Sequence, residues 1–515
     1  MKNVYLCRLK VTRWRQQSIM EQNKEKRGSY EHVLKYMGLF GGIQGMGIAI
    51  SLLRNKLVAV LLGPDGMGLI SLFNSSIKFV SDSTNFGISV SAIKNLSEAY
   101  EKGDEEELQR LMLIVRSWGL LTALLGMFLL MVAGPLLSSQ TFSWGNHTLH
   151  YIFLSPVVAM MAITGVEMAI LKSTGKLRNI AVITMYTMLS SLFIAVPIYF
   201  FFGMSGIVPT IVLTTFAQMV ATVSYSYRHF PLSFSFRSSV LREGLGIVWL
   251  GIAFVVAGIF GSGADFIIRS YINNVAGLDM VGFYNSGYMM TIIYGGMIFT
   301  AMETDFFPRL SAVNKDREAC NLTINRQIEV SLLIVSPMLV AIIIFLPIII
   351  PLLFSDKFLP VVGLIQLMML ALYFRAIKLP VSYLTISKGD SFAYMLLEAT
   401  YAVMIVPAVI LCFNAWGLIG TGIAIVGIGI VEAIIIFVFN YIRYGYVISR
   451  EVVSYSVAQI PIGIMAYLMT LSLQGVAYWM SGILLMITSM AFSFIILKQK
   501  TSLWNKLTSR FRKDK

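Results

Sequence analysis

Long apolar runs follow one another from about residue 36 to residue 497, separated by short polar connections. None alternates with the two-residue period of a strand, and each is near the length of about 20 residues that spans a bilayer as a helix. The runs fall at 36–62, 68–93, 111–134, 150–171, 179–202, 205–227, 244–273, 281–307, 328–353, 359–386, 393–414, 417–442, 452–474 and 476–497. The pattern predicts an all-α polytopic membrane protein of about 14 transmembrane helices. A β-barrel would instead show alternations of about ten residues with turns between them. The first 35 residues are basic and carry no short apolar core before a small-residue cleavage site, so the first helix is expected to stay in the protein. Met20 precedes a similar basic stretch and is an alternative start to Met1.

Self-comparison shows a repeat. Residues 62–70 line up with 276–284, placing Gly63, Asp65 and Gly68 on Gly277, Asp279 and Gly282 at an offset of 214. At the same offset Leu96-Ser97 falls on Leu310-Ser311 and Gly175 on Gly389; further on, Gly206 meets Gly417 and Arg228 meets Arg443, with the offset drifting between 211 and 215. Segments 1–6 and 7–12 are read as two copies of one unit. Each copy has an even number of helices, so the copies are parallel and form two lobes about a pseudo-two-fold axis along the membrane normal. Segments 13 and 14 are an added C-terminal pair. The expected divisions are a basic tail at 1–35, a first lobe at 36–227, a linker at 228–243, a second lobe at 244–443, the pair at 444–498 and a basic tail at 499–515.

Composition agrees with the pattern. Of 515 residues 57% are hydrophobic and 13% charged, against about 25% charged in soluble chains, which excludes a soluble enzyme and a disordered chain. The net charge of +14 would suggest nucleic acid in a soluble protein, but here it sits in tails and loops and predicts topology instead, with no nucleic-acid partner. The tails and the connections 2–3, 4–5, 6–7, 8–9, 10–11 and 12–13 hold 32 Lys and Arg residues; the alternate connections hold one, Lys357. Both termini are therefore expected in the cytoplasm.

Candidate chemistry is confined to charges inside the apolar runs, each costing about 2.5–3.5 kcal/mol at the bilayer centre on insertion scales. Cys7, Cys320 and Cys412 make no disulfide framework, and His32, His147, His150 and His229 make no zinc motif. No Walker A motif occurs, and Gly41, Gly45 and Gly47 read as helix packing rather than a nucleotide loop. No cofactor and no enzymatic activity are expected. Arg116, Glu167, Glu303, Asp305 and Glu398 lie near cytoplasmic ends and are expected to snorkel. Lys78/Asp82 and Asp265/Arg269 are spaced i,i+4, so each pair shares a helix face and either locks by salt bridging or serves transport. Arg375 and Lys378 share a face with no acid at i±3 or i±4. Arg54, Lys78, Arg269, Arg375 and Lys378 are thus the candidate substrate-binding cations of a basic cleft between the lobes, and Asp82 and Asp265 the candidate ion-coupling acids. Pro197 and Pro407, in segments 5 and 11, are candidate hinges or packing kinks.

Residues 54–68, Arg-Asn-Lys-Leu-Val-Ala-Val-Leu-Leu-Gly-Pro-Asp-Gly-Met-Gly, resemble the first-helix signature of the polysaccharide transporter family, which holds the O-antigen flippases of the multidrug/oligosaccharidyl-lipid/polysaccharide superfamily. The resemblance implies a V-shaped transporter in the bacterial inner membrane. It would move undecaprenyl-pyrophosphate-linked oligosaccharide, an O-antigen, capsule or exopolysaccharide unit, towards the periplasm by alternating access. It also implies coupling to H⁺ or Na⁺ and partners among membrane lipids and the polysaccharide polymerase machinery. Two other readings remain open: a drug/cation antiporter of the same superfamily, expected to show an acidic, aromatic cavity, and a non-transporting polysaccharide-assembly scaffold, which needs no intramembrane charge.

Overall fold

The computed structural model describes residues 46, 47 and 49–500; the expected tail at 1–35, the last fifteen residues and Cys7, His32 and Met20 lie outside them. Among the described residues all regular structure is helical: α1 (Ala49–Thr84), α2 (Ile88–Lys102), α3 (Glu105–Thr141), α4 (Thr148–Ser173), α5 (Leu177–Phe202), α6 (Ile207–Tyr227), α7 (Ser238–Ala276), α8 (Leu278–Tyr288), α9 (Met297–Ala312), α10 (Arg317–Leu353), α11 (Val362–Ser387), α12 (Ser391–Tyr444), α13 (Arg450–Ser472) and α14 (Gly475–Lys500). Ten stretches are long and apolar enough to cross a membrane, and three of them turn back on themselves at a glycine with positive φ: Gly63, Gly203 and Gly417. On a straight helix Arg54 and Lys78 would stand about 36 Å apart, yet both line one cavity. Likewise Tyr401 and Glu432, both in α12, each touch Lys378. With the broken α8–α9 pass, fourteen passes result. The protein is a multi-pass membrane protein.

The repeat is tighter in space than along the chain. Gly203 (φ 54°, ψ −132°) and Gly417 (φ 60°, ψ −140°) adopt the same backbone conformation 214 positions apart, so the pairing of Gly206 with Gly417 is corrected: Gly206 corresponds to Gly420. A Cβ on Gly206 would press on Ile198, and one on Gly420 on Cys412, again equivalent positions. The lobes meet at a contact that is its own image. A Cβ on Gly68 would come within 2.1 Å of the Leu278 carbonyl oxygen, and one on Gly282 within 2.0 Å of the Pro64 oxygen. Only two glycines let these backbones approach so closely. This contact seals the end of the molecule away from the basic connections, called here the far end; the other is the basic end.

Two passes depart from the expected runs. The second is interrupted at Asn85–Gly87, where Phe86 and Gly87 take φ 48° and 66°, and resumes as α2 to Lys102. The interruption presses Gly87 against Gly251 of α7, whose carbonyl oxygen a Cβ there would meet at 3.0 Å. The eighth pass contains a π-helical turn at Met289–Tyr294, with the Gly295 amide donating five residues back to Met290.

Arg116 and Glu167 do not snorkel. They form a two-pronged pair at 2.8 and 2.9 Å with side chains only 4% and 2% exposed. Two buried ions need further polar partners to offset desolvation. Ser226 donates to Glu167 at 2.6 Å, and Arg116 donates to the carbonyls of Phe230 and Pro231. The pair thereby straps the inter-lobe linker to α3 and α4. Asp305, exposed, pairs with Arg309 at 2.8 Å; Glu398 is exposed; the Glu303 side chain lies outside the described residues. The final pair packs on α10: Tyr478 donates to the Ile344 carbonyl at 2.7 Å, Lys500 pairs with Glu329 at 2.5 Å, and Gln459 of α13 bonds Ser489 and Ser493 of α14.

Candidate functional site

A cavity of about 400 Å³ lies between the lobes, walled by α1, α5, α6, α7, α8 and the π turn. Four expected site residues line it: Arg54, Lys78, Asp265 and Arg269. The remainder of its wall includes Asn74, Ser191, Tyr199 and Thr214, uncharged groups that hydropathy reading could not single out.

The two i,i+4 pairs form as spaced. Arg269 grips Asp265 through Nε at 3.0 Å and Nη2 at 2.9 Å. Its Nη1 donates to Ser71 at 2.6 Å and to Asn285 at 3.0 Å, and its guanidinium lies 5.4 and 5.3 Å from the Tyr284 and Tyr288 ring centres. Ser71 and Asn285 are themselves repeat equivalents, so both lobes hold this one arginine. Its hydrogen-bonding capacity is largely used. Lys78 pairs with Asp82 at 2.6 Å, but the lysine is 59% exposed, so that pair is open to water.

Arg54 differs. Its Nη1 donates to Ser191 at 2.8 Å, its Nη2 to the Asn55 side-chain oxygen at 3.2 Å, and no carboxylate pairs with it among the described residues. Asn55 in turn donates to the Tyr294 hydroxyl on the π turn at 2.6 Å, so the first lobe's arginine is positioned partly by the second lobe. Lys56, its neighbour, faces away and donates to the Pro351 carbonyl at 2.7 Å.

The structure places Arg375 and Lys378 apart from this cavity, on α11. Lys378 has a partner the local spacing could not reveal: it is ion-paired with Glu432 and lies 5.4 Å from the Tyr401 ring centre. Arg375 sits 5.5 Å from the Phe299 ring centre and makes no ion pair among the described residues. Tyr288 lies between the groups, packed under Arg269 and within electrostatic reach of Arg375. Among the described residues the expected cations thus divide into three paired with acids and two arginines that make no ion pair. Among the described residues no cluster of three or more His, Cys, Asp or Glu could hold a metal.

The model of the polysaccharide biosynthesis protein family matches residues 57–363, from the cavity wall of α1 into α11. The chain belongs to that family. Among curated proteins none matches by sequence. Solved structures show the fold. A multidrug resistance MATE family transporter of the MOP superfamily, inward-facing, superposes with TM-score 0.66 at 16% identity over 78% of this chain and 94% of its own. The lipid II flippase MurJ, in an inward closed conformation, gives 0.65 at 15% identity over 90% and 99%. An outward-facing MATE transporter gives 0.57 at 16% identity over 80% and 95%.

Proposed function

We propose that the protein is a flippase that carries a lipid-linked oligosaccharide across the bacterial inner membrane by alternating access. In this reading the basic end and both termini are cytoplasmic, the far end is periplasmic, and the structure is closed towards the periplasm. The cargo is an undecaprenyl-pyrophosphate-linked O-antigen, capsule or exopolysaccharide unit, taken from membrane lipid on one face and released to polymerase machinery on the other.

The observation that carries this reading is Arg54, a cavity guanidinium held by Ser191 and Asn55 that makes no ion pair among the described residues. The cavity wall carries three cations and one carboxylate, Asp265, which is already engaged by Arg269. An unpaired anion cannot enter hydrocarbon without a counter-charge, and a guanidinium fork suits phosphate oxygens. Arg375, which makes no ion pair among the described residues, is the second cation offered to the head group, nearer the basic end; Lys78 remains available through its exposed pair, while Arg269 and Lys378 shape the path from within salt bridges. The same charge balance disfavours an organic-cation antiporter, since among the described residues no uncompensated carboxylate lines the cavity. Asp82 and Asp265 are proposed as the acids that exchange H⁺ or Na⁺, each parting from its own-helix cation during the cycle.

Losing one charge-assisted contact costs about 1.5–3 kcal/mol, so Arg54→Ala or Arg375→Ala is expected to lower surface glycan roughly ten- to hundredfold in a flippase-deleted strain, normalised to membrane protein level. Arg54→Lys should rescue in part. Full display from the Arg54→Ala, Arg375→Ala double variant would sink the proposal.

A further inference from the structure

We propose that His147 and His150 form an acid-sensitive latch on the far-end seam between the lobes. The seam is made where α3 ends against α7: Asn273 donates to the Thr141 carbonyl and Asn274 to the Gln140 carbonyl, both at 2.7 Å, and Ser270 reaches the Thr141 hydroxyl at 3.4 Å. The residue after Thr141 is Phe142, buried, and the His147 ring lies against it with centroids 4.1 Å apart. Phe73 of α1 packs on Phe142 and on His150 at 5.7 and 5.8 Å. Imidazoles, seam and first lobe are therefore one packed unit.

The two imidazoles face each other through Nδ1 atoms 3.2 Å apart. At that distance one Nδ1–H donates to the other's lone pair, so the pair accommodates a single hydrogen between the rings. One added proton is tolerated, because it goes to the donor ring's Nε2 and leaves the Nδ1–H donation in place; a second places a hydrogen on both facing nitrogens and two like charges at contact. Groups packed on the pair are uncharged: Phe73 from α1, and Phe142 and Trp144 after α3; Tyr151 of α4 lies behind Phe73, and the α7 side of the seam presents Ser270, Asn273 and Asn274 to Thr141 and Gln140. No carboxylate among the described residues neutralises the second proton. Burial first, and then His150, hold the His147 imidazole below its ordinary range. The sign follows from linkage: the closed seam favours the less protonated pair, so it is stable above a pH of about 6.5 and loses to the open, more protonated form as pH falls below that value. Acid on the far side thus opens the far side.

The latch rests on the reading that the lobes part at this end. It is tested on the full chain in lipid nanodiscs with Cys7, Cys320 and Cys412 replaced by Ser and spin labels at Ser143→Cys and Val275→Cys, one on each side of the seam. Between pH 8 and 5.5 the population at longer distance should rise, by up to about tenfold per pH unit for each extra proton bound. His147→Gln and His150→Gln, each alone, should flatten the response while keeping the short distance at pH 8. A parent protein that ignores pH, or variants that keep the parent's response, overturns the latch. No substrate enters the measurement, so either result leaves the flippase reading to its own test.

Discussion

Arg269 and Arg116 illustrate how an intramembrane charge is retained by partners within the protein. Each is held in two-pronged fashion by one carboxylate, and each spends most of its remaining donors on uncharged oxygens. Removing only the acid leaves a buried cation uncompensated, which typically costs about 3–5 kcal/mol. Asp265→Ala and Glu167→Ala should therefore lower the thermal unfolding temperature in detergent sharply, and Glu167→Ala paired with Arg116→Met should recover much of the loss. An unchanged unfolding temperature in Glu167→Ala would mean that the pair is not what holds the linker. The sequence spacing disclosed the Asp265–Arg269 and Lys78–Asp82 pairs because a helix brings i and i+4 together. Arg116–Glu167 and Lys378–Glu432 join different helices, and only helix packing discloses them. Arg54 was legible as a charge in a membrane segment, but its hold by Ser191 and Asn55 instead of an acid among the described residues was not.

Among elements, the glycine-closed contact between the start of the second pass and α8 has the clearest consequence. A side chain at Gly68 or Gly282 cannot fit beside the opposing carbonyl. Gly282→Val is expected to hold the lobes apart at the far end, exposing a cysteine placed at Asn285 to membrane-impermeant thiol reagents added outside cells. Accessibility equal to that of the parent would show that the seal lies elsewhere. The fourteen segments were readable because a bilayer demands length and apolarity from each pass. The kink at Asn85–Gly87 and the π turn were not, since both depend on what packs beside them: Gly251 in one case, and the cavity with its Asn55–Tyr294 contact in the other. π turns frequently accompany functional sites, and this one puts Met289 and Ile293 on the cavity wall.

At the scale of the whole molecule, the 32-to-1 distribution of Lys and Arg in tails and connections gives a direct forecast. Reporter fusions after residues 102, 176, 237, 315 and 450 should signal cytoplasm, and those near 143, 204, 279 and 474 periplasm; a periplasmic signal at 237 would overturn the orientation. The C-terminal pair also makes the two halves unequal. Because α14 is fastened to α10 by Tyr478 and Lys500 and α13 to α14 by Gln459, the second lobe would travel as an eight-helix body and the first as a six-helix one. A bilayer is viscous, and the drag on a body turning within it grows with the girth it presents to the lipid. In any rocking motion the heavier half therefore behaves as the stator, and the half that carries Arg54 does most of the turning.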